Sequence, residues 1–555
     1  MQPSRQKLPW EVVYLIVCCV ADTRQASKKI IHNKRFNGST LVLPLAGTSQ
    51  VWRSAVLTYL CRAYVVTFSN NNQVIAGYKR WIKYKTSPES YANKFVRRVN
   101  VEANIASIAS GQSFMDLVDS PVHLQKFCKA RTLKLRLLGN WTYNSGTIAD
   151  AGRNVAQFCG MLKTMVPAAT NAKLTYNGSP SSDTVIVGEL VSILARNLFS
   201  GAKSKKLELF ADLQLEVSVA NPVSSLTSLN VTWRDSYKPL ASLIRLCSQS
   251  LAVLEITFIA YNGLENLVRD GQLYITYPNL QKLVLSSLNG CSSPCMAFGT
   301  TGVLFPTLNH LQLEVHYPFS DDTLFRGNSK TLEYLKMIPD TTTFDMLISY
   351  RKFAKLQDSN LKHMLIAHTT YRVWKSDWET TTVGKFIKTF SSSLRRLSLP
   401  VLDMSIPNLD MANFSKYFSP SIKVLELKNK EMCLIEFLTI LKALPALTSL
   451  VCGYSANRHL ETQNTYIDTL YSQNYPLNNN FWHWRPYYKS YANNGKSAAK
   501  CAMILAILCP KFGFAEIWSY GRSQFNNAIQ EELSREPYDK YANKIECLLY
   551  TDIIP

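Results

Sequence analysis

Between Leu226 and Cys452 nine short stretches share one design: SLTSLNV (225–231), SLAVLEI (250–256), NLQKLVL (279–285), TLNHLQL (307–313), TLEYLKM (331–337), NLKHMLI (360–366), SLRRLSL (393–399), SIKVLEL (421–427) and ALTSLVC (446–452). Each fits a Leu-x-x-Leu-x-Leu frame. The middle apolar residues are Leu229, Leu254, Leu283, Leu311, Leu335, Met364, Leu397, Leu425 and Leu450, so successive steps are 25, 29, 28, 24, 29, 33, 28 and 25 residues. Looser copies extend the series upstream, as FVRRVNV around Val99, ARTLKLRL around Leu133, NAKLTY around Leu174 and SKKLEL around Leu207. Alternate residues of an extended chain point to opposite sides, so the apolar residues of each unit face a core and those between face out. One such unit cannot bury its own apolar face, and each needs a neighbour stacked on either side.

A near-constant step of this size is the period of a leucine-rich repeat. Several connections carry helical spacing: ELVSILARNLF before Leu207, PLASLIRLCSQ before Leu251 and CLIEFLTILKAL before Leu447. Strand plus helix per unit predicts an α/β solenoid, a curved parallel sheet with outer helices, over residues 95–453. The regular form of this repeat places Asn or Cys three residues after the last strand leucine. Here Arg234, Ile259, Leu288, His316 and Asp340 stand there, so the asparagine ladder is missing.

Length and composition agree with a repeat array. At 555 residues the chain exceeds one typical globular core, and 46% hydrophobic with 18% charged residues describes a folded protein. The net charge of +22 is concentrated: residues 1–100 hold sixteen Lys and Arg against three Asp and Glu. Such an excess favours an acidic partner, an acidic surface or nucleic acid, and says nothing about fold. The thirteen cysteines are scattered. Cys291 and Cys295 have no second pair or His cluster beside them, so no zinc site is expected. Reduced, buried thiols fit a cytoplasmic or nuclear protein. Sequons begin at Asn37, Asn140, Asn177, Asn230 and Asn413, and Asn230 falls within a repeat strand.

At the N-terminus, Arg5 and Lys7 precede the apolar run from Val12 to Ala21, the outline of a signal peptide, too short to span a membrane. Pro9 and Glu11 interrupt that outline. Leu8-Pro9-Trp10-Glu11 with Val12, Leu15, Ile16 and Cys19 reads instead as a helix with proline in its first turn and an apolar stripe. After a basic linker, Leu41, Leu43 and Leu45 precede a helix start at Thr48-Ser49. A second amphipathic run follows through Val51, Trp52, Ala55, Val56, Tyr59 and Leu60.

An LPxE opening, an apolar helix, then a leucine segment running into a Ser-x-x-Trp-Arg helix resemble an F-box over residues 6–65. The F-box is the small all-α, three-helix module that docks on the Skp-type adaptor of cullin-RING (SCF-type) ubiquitin ligases. The long first linker and Thr48, where an aliphatic residue is usual, depart from that pattern. The resemblance implies that Leu8, Pro9, Val12, Ile16, Leu45 and Val51 face the adaptor and that Trp52 packs the module together. A helical cap sealing the first repeat is the alternative reading.

Residues 66–94 form a basic linker in which Tyr78, Lys79, Arg80, Trp81, Lys83, Tyr84 and Lys85 interleave aromatic and cationic side chains. Nucleic-acid surfaces use that mixture, but no nucleic-acid module surrounds it, so nucleic acid is not the expected partner. Residues facing the concave side of the repeats are candidates for substrate contact: Arg98, Lys134, Arg136, Lys173, Lys206, Phe210, Glu255, Glu314 and Tyr334. The early ones are basic, which predicts an acidic or phosphorylated segment held toward the N-terminal end. His310 and His363 fall at equivalent repeat positions on the same face. Residues 454–496, dense in Asn, Tyr and Trp, read as an insertion loop, folded against the solenoid edge by Phe481, Trp482, Trp484, Tyr487 and Tyr488. A last repeat and a C-terminal cap occupy 497–555.

No P-loop, Rossmann glycine pattern, HExxH or GxSxG elbow occurs, and the eight histidines share no spacing with carboxylates or cysteines. The expectation is a binding protein without a catalytic residue, metal or cofactor of its own. As an F-box and leucine-rich-repeat protein it would join a Skp-type adaptor and cullin complex and present a protein substrate, with no membrane span. A repeat scaffold whose cap does not dock, and a secreted repeat protein, are the rival classes.

Overall fold

The computed structural model describes residues 12–17, 45, 48–61, 63–68, 97–111, 127, 129–138, 147–178, 184–210, 222–233, 238–258, 269–270, 273–287, 305–314, 331–337, 360–366, 393–399, 420–432, 434–454, 480–486, 494–509, 511–512, 514–515, 522–534, 539 and 542–546. The chain divides into two compact units. One is Met1–Leu267 with Tyr277–Leu280 and Ile554–Pro555, the other Val268–Thr276 with Gln281–Ile553.

The first unit is built on seven strands: β1 (Ala63–Phe68), β2 (Arg98–Asn104), β3 (Thr132–Leu138), β4 (Asn171–Asn177), β5 (Ser204–Leu209), β6 (Ser228–Trp233) and β7 (Val253–Phe258). They pair in chain order and every pairing is parallel. Parallel neighbours require a crossover, and here helices supply several of them. The described helices of this unit are α1 (residues 12–17), α2 (Gln50–Cys61), α3 (Ile105–Ala109), α4 (Ile148–Met165), α5 (Thr184–Phe199) and α6 (Lys238–Cys247).

The second unit opens with a short antiparallel pair, β8 (Arg269–Asp270) and β9 (Leu273–Tyr274). Nine parallel strands follow in chain order: β10 (Lys282–Ser287), β11 (His310–Glu314), β12 (Tyr334–Met337), β13 (His363–Ile366), β14 (Arg396–Leu399), β15 (Val424–Met432), β16 (Ser449–Tyr454), β17 (His483–Pro486) and β18 (Phe514–Ala515). Its described helices are α7 (Leu434–Ala443), α8 (Asn494–Leu508), α9 (Arg522–Glu532) and α10 (Ala542–Glu546).

The leucine frame fixes the register. Leu283, Leu311, Leu335, Met364, Leu397, Leu425 and Leu450 stand opposite one another across seven strands, and all are buried. Full burial of each such side chain is worth roughly 1.5–3 kcal/mol, and a slip by one residue would turn the whole set to the other face. In the first unit the same column runs Val101, Leu135, Leu174, Leu207, Leu229, Leu254. The two earliest units are therefore centred on Val101 and Leu135, two residues beyond the expected centres Val99 and Leu133. A two-residue offset keeps each side chain on its face, so Arg98, Lys134 and Arg136 remain opposite the core.

Two further corrections concern boundaries. Among the described residues the sheet begins at Ala63 with β1, inside the stretch expected to be helical module and linker, and not at residue 95. The segment expected as an insertion loop contains a strand, β17, paired with β16 and β18. Phe481 and Trp484 take the first and middle leucine positions there and are fully buried. Phe437 meets both edge-on, with ring centroids 6.1 Å and 5.7 Å away. Aromatic rings in leucine positions kept this repeat outside a leucine frame. The helix α4 adds an element that the leucine frame does not predict. Thr147 caps its N-terminus by accepting from the Asp150 amide, and Ala151, Val155, Phe158, Cys159, Leu162 and Met165 bury one stripe.

The missing asparagine ladder has a substitute on the other side of the strand. Immediately before the first leucine of a unit, a short polar side chain donates to a carbonyl of the preceding repeat. Ser250 Oγ reaches Leu226 O at 2.7 Å, Thr331 Oγ1 reaches Leu308 O at 2.9 Å and Ser421 Oγ reaches Leu394 O at 3.0 Å. Asparagine does the same two residues further back: Asn279 Nδ2 to Gln249 O at 2.7 Å and Asn480 Nδ2 to Pro445 O at 3.2 Å. These bonds supply partners to turn carbonyls that the strands themselves leave open.

One glycine is required by its geometry. Gly111 closes the turn after α3 with φ +75°, and a Cβ there would lie 3.1 Å from Asn154 Nδ2. That amide of α4 is held in place, donating to Ala109 O at 2.7 Å.

Candidate functional site

In the first unit, the strand face opposite the leucines carries the basic residues that the sequence singles out. Two columns run across its strands. Asn100, Lys134, Lys173, Lys206, Ser228 and Val253 form one, and Glu102, Arg136, Thr175, Glu208, Asn230 and Glu255 form the other. Arg98 stands in β2 two residues before Asn100, with Thr132 opposite it in β3. Lys134 and Lys173 are half-buried and Lys206 is exposed. Phe210 is the first residue after β5, on the same side as Lys206 by alternation. Its ring is 37% exposed and its amide donates to Tyr176 O at 3.0 Å.

Partners on this face are unevenly distributed. Lys173 pairs with Glu208, and the Thr175 hydroxyl donates to the same carboxylate at 2.9 Å. Arg136 Nη1 lies 3.5 Å from Glu102 Oε1. The Asn230 amide donates to Glu255 at 2.9 Å, so this sequon asparagine has its side chain engaged. Lys134 and Lys206 make no ion pair among the described residues. Partial burial, reinforced by the nearby charges of Arg98, Lys173 and Lys206, pulls the Lys134 ammonium below its ordinary range, and Glu208 opposes that pull.

The strands of the second unit carry different residues on their open face. In one column Lys282, His310, Tyr334, His363 and Arg396 occupy five successive strands. The His310 and Tyr334 rings stack at 3.9 Å and 4° between planes, and His363 tilts against Tyr334 at 6.2 Å. The neighbouring column holds Gln312, Lys336 and Glu426. Gln312 donates to Glu314 at 2.8 Å, Lys336 pairs with the same Glu314, and Arg396 pairs with the buried Glu426. At the strand starts Lys362 pairs with Glu333 at 2.7 Å. Charges here are largely matched, in contrast to β2–β5. Burial and the Arg396 guanidinium hold His363 below the usual histidine range, with Lys362 adding to the effect and Glu333 opposing it.

The N-terminal helices make a small core of their own. Val13 and Val17 of α1 are buried with Ala55 and Val56 of α2, and Tyr14, Leu45, Val51 and Trp52 pack against them. Thr48 starts α2 by hydrogen bonding back to Leu45 O at 2.8 Å through its hydroxyl. The other side of α1 is apolar as well: Val12, Leu15 and Ile16 are 39%, 62% and 36% exposed. Spaced i, i+3, i+4, they form one strip on the helix surface. Of the residues implied to face an adaptor, Val12 and Ile16 are on that strip, while Leu45 and Val51 are partly covered by the small core. Leu8 and Pro9 lie outside the described residues, as do Tyr78 to Lys85, Cys291 and Cys295.

Glu208 and Glu102 were not among the sequence candidates. Each follows a core residue by one position, as Glu255 and Glu314 do, and that parity was the available signal. Among the described residues no helix is long and apolar enough to cross a membrane. Neither a protein-family model nor a curated protein matches the chain.

Proposed function

We propose that this chain is the substrate receptor of a cullin-RING ubiquitin ligase, in which the N-terminal helices dock on a Skp-type adaptor and the open sheet faces hold a protein substrate. The observation that carries the reading is the strip Val12, Leu15, Ile16. It is an apolar surface on a helix whose opposite side is already anchored by Val13 and Val17 against α2. A contiguous apolar patch left in water beside a formed core favours a docking surface, and these three side chains adjoin on one helix face. In each unit the strand residues opposite the leucines give a polar, open face that can hold a protein segment. The contribution to the reaction is proximity: a bound substrate lysine is held near the charged conjugating enzyme, and bond making belongs to other subunits.

The test is capture of the full chain by a Skp-type adaptor. The native chain co-purifies with the adaptor, and the double variant V12E/I16E does not. Both positions are open enough to accept carboxylates while the fold, read by circular dichroism, stays intact. A folded native chain that fails to capture the adaptor overturns the receptor reading, and equal capture of the variant overturns the role of the strip.

A further inference from the structure

The open face over β2–β5 carries an arrangement that folding does not call for. Lys134, Lys173 and Lys206 stand directly opposite one another on three neighbouring parallel strands. Adjacent strands are about 4.8 Å apart, so three ammonium-bearing stems rise within about 10 Å. Like charges opposed across a sheet repel and weaken the pairing. Only Lys173 has a carboxylate partner among the described residues. Including Arg98 and Arg136, five cations share the patch with two carboxylates, Glu102 and Glu208.

Two polar groups at the edge of the ladder also lack partners. Arg98 Nε and Asn100 Oδ1 are buried atoms with no hydrogen bond. Asn100 continues the lysine column onto β2, and its amide can turn to present Nδ2 as a donor. An unmet donor, Arg98 Nε, and five cations thus converge where only two carboxylates answer them. A carboxylate brings two oxygens and one charge. A phosphoryl group brings three oxygens and nearly two charges, and meets three ammonium groups at once.

We propose that Lys134, Lys173 and Lys206, with Arg98 and Asn100 beside them, form a phosphate-binding ladder that takes a phosphorylated side chain on an extended segment of a partner protein. The inference rests on reading the open face as the surface that holds the partner. The segment lies across β2–β5, its phosphoryl group over the central lysine. Glu208 keeps Lys173 aligned until the phosphoryl oxygens arrive.

The experiment measures binding of a fluorescein-labelled Gly-Gly-phosphoserine-Gly-Gly peptide to the full chain by anisotropy at fixed ionic strength. The serine peptide, inorganic phosphate and a single-stranded oligonucleotide of equal charge serve as the other arms. The phosphopeptide binds at least tenfold more tightly than the serine peptide. K134Q/K206Q loses at least tenfold, K134R/K206R retains binding, and K336Q in the second unit leaves it unchanged. Equal binding of the two peptides, an unaffected K134Q/K206Q, or an equal loss in K336Q overturns the ladder. Inorganic phosphate binding as tightly as the phosphopeptide overturns assignment to a protein segment, and so does tighter binding of the oligonucleotide. Adaptor capture is scored on the same preparations. Phosphopeptide binding without adaptor capture overturns the receptor reading and leaves the ladder, and adaptor capture without phosphopeptide binding does the reverse.

Discussion

Ser250 Oγ donates a 2.7 Å hydrogen bond to the carbonyl of Leu226, one repeat earlier, and so ties the turn before β7 to the turn before β6. A hydrogen bond of this kind contributes about 1 kcal/mol net, and losing it leaves a half-buried carbonyl without that donor. Ser250→Ala is expected to lower the free energy of unfolding by about 1 kcal/mol. Thr331→Val, which deletes the bond to Leu308 O at nearly constant volume, should cost a similar amount. Urea unfolding followed by circular dichroism measures both, and an unchanged midpoint in both would deny the ladder its role.

Trp484 makes a sharper case for the repeat that leucine counting misses. It is fully buried opposite Leu450 and edge-on to Phe437. Trp484→Ala should destabilise by about 3–5 kcal/mol, in the range of large aromatic truncations in cores. The neighbouring Trp482, half exposed, should tolerate alanine at well under 1 kcal/mol as an ordinary surface change. Thermal unfolding of the two variants distinguishes a packed strand from a loop.

His363 sets a pH dependence. Burial and Arg396 lower its folded-state value below the 6.5 of the free side chain. Between those two values the unfolded chain binds the proton and the folded chain does not, so stability falls as pH drops through 6.5 toward the folded value. His363→Asn removes that part of the slope. Unfolding midpoints at pH 7.5 and about 5.5 should differ less in the variant than in the native chain. An identical slope would place the titration elsewhere.

Burial pushes the Cys159, Cys247 and Cys509 thiols up to about 12, and Cys501 is also raised. Thiolate is the reactive form, so these four should resist alkylation by iodoacetamide at pH 8 until the chain unfolds. Peptide mass mapping after native and denaturing treatment reads this site by site. Rapid native labelling at Cys159 would contradict its place on the buried stripe of α4.

The sequence made the array legible because its information is local. Leucines at fixed spacing dictate strand, face and register together, and Leu283 through Leu450 align as their frame requires. Helices with an uninterrupted apolar stripe, such as α5 and α7, were equally readable. What escaped was substitution within the pattern. Phe481 and Trp484 fill leucine positions with rings, and Thr147 with Asp150 signals α4 without any leucine run. The hydroxyl ladder was also written in the text, since eight of the nine units begin with Ser, Thr or Asn. Its meaning depends on a carbonyl some 25 residues away, as from Ser250 to Leu226, which no single unit reveals. The candidate site divides the same way. Parity put the basic residues on one face, but the pairing of Lys173 with Glu208, and of Asn230 with Glu255, depends on inter-strand register.

The proposed docking of the N-terminal helices on a ubiquitin-ligase adaptor comes down to one binding event. Its most direct test mixes the purified full chain with a purified Skp-type adaptor and weighs the product by mass photometry. A one-to-one complex that V12E/I16E abolishes is the expected product. Two separate species at micromolar concentration, with the chain showing a cooperative unfolding transition, would contradict it.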